Sequence, residues 1–148
     1  MYTTDAHPYK AIAGLSLAIA IISSIMIVPV LGLFLDALFA IPSIAVFVLS
    51  IISIVIRRKN DVSTLPVVFS VMTGGLGIFA TMLMLFGVFG DQAETMLNMG
   101  SQIFVNFIYV IVALAAWCGY VVSAILNYRN FYLLRKTVLS EQVVSSQV

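Results

Sequence analysis

The stretch Ile51–Val68 reads IISIVIRRKNDVSTLPVV, and it places three of the chain's seven basic residues between two long apolar segments. Arg57, Arg58 and Lys59 follow directly on one apolar run, and Pro66 opens the next. Proline suits the first turn of a helix, because its missing N–H would have no partner there. The stretch therefore predicts two apolar helices joined by a short basic loop.

The composition of the whole chain indicates that these helices lie in lipid. Of 148 residues, 62% are hydrophobic and 9% are charged, and the mean hydropathy is +1.15. Soluble domains carry about 25% charged residues, and a domain this small has too much surface to hide the apolar excess. Lipid-spanning chains are helical bundles or closed barrels, and the alternation of barrel strands is not seen here. We therefore expect an all-α integral membrane protein.

Four apolar segments have the roughly 20 residues that a membrane-spanning helix needs. They lie near 11–32, 37–56, 66–90 and 103–127. Residues 1–10 precede them as a short N-terminus. Residues 128–148 follow as a tail, which either lies along the membrane face or continues the fourth helix.

The first two spans form one apolar run that must fold back on itself, because a single helix of that length would measure about 69 Å. Pro29 and Gly32 weaken the end of the first span. Asp36 is a good N-cap for the second span. Pro42 is expected to kink the second helix soon after its start.

The distribution of charge predicts how the four spans are arranged. Basic residues occur before span one, between spans two and three, and after span four: Lys10, Arg57, Arg58, Lys59, Arg129, Arg135 and Lys136. The two opposite loops contain Asp36, Asp91 and Glu94 and no basic residue. Cytoplasmic loops are enriched in Lys and Arg, so we expect an up-down four-helix bundle with both termini in the cytoplasm. The basic side chains should reach the lipid headgroups, in a plasma or inner membrane.

Small residues recur at helical spacing in spans three and four, at Gly74, Gly77 and Thr81 and at Ala115, Gly119 and Ser123. Such faces let helix backbones approach closely in lipid. Two interpretations stay open, namely packing inside one bundle and association with another copy or a partner's helix. Asn106 and Asn127 lie within span four, and we expect them to hydrogen-bond to neighbouring helices.

No group of residues in the sequence indicates catalysis. The middle of the spans holds no ionisable residue, and the single histidine, His7, lies outside them. Cys118 is the only cysteine and is expected to be buried and inert. We expect no catalytic residue, no cofactor and no metal site. The net charge of +1 gives no reason to expect a nucleic-acid partner.

The expected function is therefore that of a small non-enzymatic multi-pass membrane protein, acting as an accessory, scaffold or assembly subunit. Its expected partners are the lipid bilayer and either further copies of itself or another membrane protein. Two alternatives remain. One is an oligomeric pore or transport protein lined by small polar residues, and the other is a small membrane inhibitor, such as an immunity protein against a pore-forming toxin. The number of spans does not discriminate between these functions.

Overall fold

The computed structural model describes residues 7–28, 40–90 and 97–145, and within these ranges the chain is helical apart from short turns. The helices are α1 (His7–Ile27), α2 (Ile41–Lys59), α3 (Leu65–Gly90) and α4 (Leu97–Ser145). Each contains a segment long and apolar enough to cross a membrane. The prediction of an all-α chain with four apolar helices is confirmed at this level, and the described ranges contain no strand.

Helix α1 ends at Ile27, earlier than the predicted residue 32. The next residue, Val28, precedes Pro29 in the sequence, and a residue before proline is disfavoured from helical geometry. The indole N–H of Trp117 in α4 donates to the Ile27 carbonyl at 2.9 Å. This bond satisfies one of the carbonyls that a helix end leaves without a partner.

Helix α2 begins at Ile41, directly after Ala40, whose φ of 54° is left-handed. Pro42 therefore lies in the first turn of α2, where proline is tolerated. The prediction that the second helix starts near residue 37 and kinks at Pro42 was wrong, because this helix starts only one residue before Pro42. Asp36, the expected N-cap, lies outside the described residues, as do Asp91 and Glu94.

A tight turn at residues 60–64 joins α2 to α3. The backbone N–H groups of Asn60 and Val62 both donate to the Arg57 carbonyl, at 3.1 and 3.0 Å. Asp61, between them, is left-handed, with a φ of 54°. The Val62 bond and the left-handed residue are those of a Schellman ending, with aspartate in the place where glycine is usual. The side chain of Asn60 also donates to the Ile56 carbonyl at 2.7 Å, which fixes the turn to α2.

Helix α4 is far longer than a bilayer is thick. Its 49 residues correspond to about 74 Å, against a hydrocarbon core of about 30 Å. The tail continues α4 without a break as far as Ser145, which decides between the two alternatives for this segment. Leu134 packs with Ile12 and Ala13 of α1, and Val62 of the α2–α3 turn lies against the same cluster. The N-terminal part of α1, the α2–α3 turn and the part of α4 around Leu134 therefore lie together.

Most large apolar side chains lie on the outside of the bundle, and the inside combines an apolar cluster with many small and polar residues. A central apolar cluster consists of Ile19, Met26, Val46, Val67, Ala116 and Tyr120. The polar and charged residues that are buried in the bundle are Ser16, Ser23, Ser43, Ser50, Ser53, Arg57, Ser70, Thr73, Thr81, Ser123 and Asn127. Because lipid solvates an apolar exterior, large apolar side chains need not be buried, and the interior can hold groups that need hydrogen bonds.

Cys118 is exposed, beside the exposed Trp117. The expectation of a buried thiol was wrong. An apolar stretch in a membrane helix has a lipid-facing side as well as a protein-facing side, and Cys118 is on the former.

Candidate functional site: a buried polar core closed by Arg57

Arg57 is fully buried, although it belongs to a basic triplet at the end of a helix. It lies on the inward face of α2, in line with Ser43, Ser50 and Ser53, which are also fully buried. Its neighbours Arg58 and Lys59 are exposed. The sequence predicts that all three side chains reach the lipid headgroups, and for Arg57 the structure shows a different place, inside the bundle. One helical step turns each successive residue by about 100°, so three consecutive basic residues do not all face the same way.

The guanidinium of Arg57 finds an acceptor for each of its five N–H groups. Nε donates to Ser53 Oγ at 3.1 Å, Nη1 to the Ser63 carbonyl at 2.7 Å and Nη2 to Ser16 Oγ at 2.6 Å. Asn130 is oriented with Oδ1 towards the guanidinium, where it accepts from Nη1 at 3.2 Å and also from Nη2. We call these five residues the Arg57 cage. Its members come from α1, α2, the α2–α3 turn and α4.

Every acceptor in the Arg57 cage is neutral. Within the described part of the chain, no carboxylate forms an ion pair with the guanidinium. A buried charge without a counter-charge is costly unless hydrogen bonds surround it. The complete set of acceptors is therefore what makes burial of Arg57 tolerable, and the cage ties three helices and one turn to a single side chain.

A second polar group, the serine–asparagine layer, connects α1, α3 and α4. Ser123 Oγ lies 3.1 Å from Ser23 Oγ and 2.7 Å from Ser70 Oγ. Asn127 Nδ2 donates to Ser70 Oγ at 2.8 Å and to the Ser123 carbonyl at 2.9 Å. All four side chains are fully buried. Asn127 thus makes the interhelical bond that its sequence position suggests, to α3.

Two buried polar atoms have no hydrogen-bond partner in the described structure, namely Asn127 Oδ1 and Ser50 Oγ. Asn127 uses both of its N–H groups within the serine–asparagine layer, and its carbonyl oxygen is left over. A buried polar atom without a partner costs about 1–3 kcal/mol. Hydrogen bonding in the interior of the bundle is therefore complete at Arg57 and incomplete at Asn127 and Ser50.

Two glycines of α3 allow close contact with α2. A Cβ atom placed on Gly74 would lie 2.8 Å from the backbone nitrogen of Phe47. A Cβ on Gly77 would contact Ser43 Oγ and lie 2.5 Å from the hydroxyl of Tyr120. Ser43 and Tyr120 are themselves hydrogen-bonded at 2.7 Å, between α2 and α4. Both glycines are therefore required by contacts inside the chain.

The remaining small residues selected from the sequence have different surroundings. A Cβ on Gly119 of α4 would lie 2.6 Å from Thr73 Oγ1 of α3. Thr81 is buried, and its hydroxyl donates to the Gly77 carbonyl at 3.1 Å. Ser123 is in the serine–asparagine layer, whereas Ala115 is exposed. The span-four stripe therefore runs from the lipid-facing side into the core, and its members do not form one surface.

The other basic residues selected from the sequence are all exposed: Lys10, Arg58, Lys59, Arg129, Arg135 and Lys136. Tyr9, next to Lys10, packs in the same apolar cluster as Val62 and Leu134. The N-terminal part of α1, the α2–α3 turn and the tail part of α4 thus bring these residues to one end of the bundle, which we call the basic end. Asn106 is exposed, with no hydrogen bond to the described residues.

Sequence reasoning missed Ser43, Ser53, Tyr120 and Asn130. A signal existed in α2, where positions 43, 46, 50, 53 and 57 follow alternating steps of three and four residues. Such spacing marks one face of a helix, and a stripe that ends in arginine indicates that the arginine faces the same way as the serines.

The described residues contain no group of three or more His, Cys, Asp or Glu side chains that could hold a metal ion. Comparison with protein families, curated proteins and solved structures finds no match to this chain. Its function must therefore be argued from the polar core and from the surfaces that surround it.

Proposed function

We propose that this protein is a non-enzymatic membrane subunit that acts through helix–helix packing, as an accessory, scaffold or assembly component. One observation carries the proposal. Gly14 of α1 is exposed, and a Cβ placed on it would meet no atom within 4 Å. Gly74, Gly77 and Gly119, by contrast, are all in close contact within the chain.

A glycine inside a helix costs about 0.5–1 kcal/mol relative to alanine. Among the residues that the structure describes, nothing offsets that cost at Gly14. Ala11, Gly14 and Ala18 form a small-residue stripe on the outer side of α1, at the three- and four-residue spacing that lets a second helix approach in lipid. We infer that the stripe receives a helix from outside the chain, either of a second copy or of another membrane protein.

The test is the assembly state of the full-length protein in mild detergent, measured by cross-linking and mass determination. We expect an oligomer or a co-purifying membrane partner. Gly14→Leu should disrupt the assembly without lowering the thermal stability of the protomer. Ala115→Leu, an equally large change at an exposed site on α4, is the matched control and should leave the assembly intact. A monomeric wild-type protein without a partner would reject the proposal, and so would an assembly unaffected by Gly14→Leu.

We further propose an up-down bundle with both termini in the cytoplasm, in a plasma or inner membrane. Ser16 lies by Asn130 and Ser23 by Ser123, as expected for antiparallel α1 and α4. The exposed basic residues share the basic end, as the enrichment of Lys and Arg in cytoplasmic loops would require.

Reporter fusions at each terminus test this orientation. Because Arg57 is buried, the charge contribution of the turn is best tested with the double variant Arg58→Gln and Lys59→Gln. We expect both termini to report a cytoplasmic location in the wild type, and the double variant to show a mixed orientation. A periplasmic or extracellular signal from either wild-type terminus would contradict the proposal.

Transport through the bundle is a second candidate, favoured by the buried polar core. Hydroxyl and amide groups follow one another from the Arg57 cage through the serine–asparagine layer to Ser43 and Tyr120. Atoms without a partner, such as Asn127 Oδ1, are places where a solute or water could bind. Flux of ions or small solutes into proteoliposomes, abolished by Asn127→Leu, would support this candidate. Flux no greater than that of protein-free liposomes would reject it.

A further inference from the structure

An open hollow of about 510 Å³ lies at the α2–α3 turn. Its volume is within the range of sites that bind small molecules. The lining combines one cation, one anion, two hydroxyl groups and three aliphatic side chains: Arg58, Asp61, Val62, Ser63, Thr64, Leu65 and Val68. Such a mixture suits a ligand that carries both charges and an apolar part.

The hollow lies where a lipid headgroup would be. It is formed by the turn between two helices that are each long and apolar enough to cross a membrane, and the end of a spanning helix lies near the headgroup region. Leu65 and Val68 line the hollow and are also exposed on the outside of α3. They provide an apolar path from the hollow onto the lipid-facing side of the bundle, along which an acyl chain can lie.

The two charged side chains of the hollow are not neutralised by each other. Arg58 and Asp61 are both exposed, and no ion pair joins them in the described structure. A purely anionic ligand would be attracted by Arg58 and repelled by Asp61, and a purely cationic ligand would experience the reverse. A ligand with a phosphate and an ammonium group satisfies both side chains.

We propose that this hollow binds the phosphoethanolamine headgroup of a membrane phospholipid. The phosphate is placed with Arg58 and the hydroxyls of Ser63 and Thr64, since guanidinium and hydroxyl groups are good donors to phosphate oxygens. The primary ammonium is placed with the carboxylate of Asp61. The acyl chains follow Leu65 and Val68 into the bilayer. The proposal does not depend on whether the protein assembles with a partner.

The lining favours ethanolamine over choline. A quaternary ammonium has no N–H to donate, and proteins recognise it mainly with aromatic faces. The residues that line the hollow include no aromatic side chain. A primary ammonium has three N–H groups and can bind a carboxylate directly. Asp61 is therefore the residue expected to distinguish the two headgroups.

The backbone of the turn that lines the hollow is held by hydrogen bonds before a ligand arrives. The Val62 N–H donates to the Arg57 carbonyl at 3.0 Å, and Arg57 Nη1 donates to the Ser63 carbonyl at 2.7 Å. The first bond joins the turn to the backbone of α2, and the second joins it to the buried Arg57 side chain. A preformed site avoids part of the ordering cost of binding.

The experiment uses the full-length protein in detergent micelles. Binding of phosphatidylethanolamine, phosphatidylcholine and phosphatidylglycerol with identical acyl chains is compared by native mass spectrometry. We expect phosphatidylethanolamine to bind about three- to fivefold more tightly than phosphatidylcholine, the factor that a solvent-exposed ion pair can provide. Phosphatidylglycerol should bind less tightly than phosphatidylethanolamine because Asp61 repels it.

Three variants assign the interactions. Asp61→Asn keeps a residue that tolerates the left-handed conformation and should reduce phosphatidylethanolamine binding to the level of phosphatidylcholine. Arg58→Gln should weaken the binding of both lipids about threefold or more. Lys59→Gln is the matched control, because Lys59 is an exposed neighbour with the same charge that does not line the hollow. It should change neither affinity.

Several results would overturn the proposal. Equal binding of phosphatidylethanolamine and phosphatidylcholine to the wild type would show that the ammonium is not recognised. The tightest binding by phosphatidylglycerol, or equal effects of Arg58→Gln and Lys59→Gln, would show general attraction to anionic lipid. Soluble phosphoethanolamine that binds as tightly as the lipid would remove the membrane phospholipid as the ligand.

Discussion

Arg57 and the serine–asparagine layer are both buried, and both connect α1 and α4 to other parts of the chain, yet their hydrogen bonding differs. In the cage, all five N–H groups of Arg57 have acceptors. In the layer, three serine hydroxyls and the Asn127 amide bond to one another, and Asn127 Oδ1 remains without a partner. The more costly group to bury is the one that is completely bonded.

This difference indicates two roles for polar groups in one bundle. A buried charge must be satisfied completely or the fold is lost, so the Arg57 cage is a point of fixed geometry. Leaving one hydrogen bond of a neutral serine or asparagine unmade costs less free energy. The hydroxyl and amide groups of the serine–asparagine layer can therefore exchange hydrogen-bond partners with one another. Substitutions should therefore have large effects in the cage and small effects in the layer.

The largest effect is expected for Arg57→Met, which keeps an unbranched apolar stem but removes every donor. The neutral acceptors from α1, α2, the α2–α3 turn and α4 would lose their partner at once. Each buried acceptor left without a partner costs about 1–3 kcal/mol, so we expect a loss of about 3–5 kcal/mol in the free energy of unfolding. Unfolding in detergent micelles, followed by circular dichroism, measures this. Arg58→Met changes the exposed neighbour and should cost less than about 0.5 kcal/mol. Equal losses in the two variants would show that the cage does not fix the fold.

A smaller loss is expected for Asn130→Leu, which removes one acceptor from the cage and leaves Arg57 in place. Asn130 Oδ1 serves both Nη1 and Nη2 of the guanidinium. Bonds to a charged group contribute about 1.5–3 kcal/mol, and because Asn130 is only half-buried, water can replace part of this. We expect a loss of about 2 kcal/mol, measured in the same unfolding experiment. A loss below that of Asn127→Leu would reverse the proposed order of the two regions.

The four apolar helices could be predicted from the sequence because length and composition alone determine whether a segment can cross a bilayer. The surroundings of Arg57 could not be read from composition. Arg57, Arg58 and Lys59 are chemically similar and adjacent, and only the rotation of α2 sends the first of them inward. The three- and four-residue spacing from Ser43 to Arg57 indicates that rotation, but the signal is weak because serines occur on either face of an apolar helix.

Cys118 and Ala115 show that hydrophobicity also fails to identify the exposed face of α4. Both lie in the apolar run of α4, and both are exposed. In a soluble helix, an apolar stripe marks the buried face. In lipid, the outside is apolar as well, so hydrophobicity does not separate the two faces. The inward faces here are better marked by hydroxyls and glycines, as Ser123 and Gly119 illustrate.

In the serine–asparagine layer, Asn127→Leu should cost only about 1 kcal/mol. The substitution removes two bonds donated by Nδ2, to Ser70 Oγ and to the Ser123 carbonyl. It also removes the buried Oδ1, whose lack of a partner already lowers the stability of the wild type. The two effects have opposite signs. The pair Asn127→Leu and Asn130→Leu therefore compares the same chemical change, one turn apart on α4, in the two regions.

The smallest effect, and the only expected gain, is for Ser50→Ala. Ser50 is fully buried on the inward face of α2, and its hydroxyl has no hydrogen-bond partner among the described residues. Removing a buried hydroxyl that makes no bond relieves its desolvation cost, while loss of one oxygen atom leaves only a small void. We expect a net gain of about 0.5 kcal/mol in unfolding free energy. Ser53→Ala, one turn further along the same face, removes an acceptor of Arg57 Nε and should be destabilising. If Ser50→Ala is instead as destabilising as Ser53→Ala, the Ser50 hydroxyl has a partner, such as a bound water, and the bundle is completely bonded beyond the Arg57 cage as well.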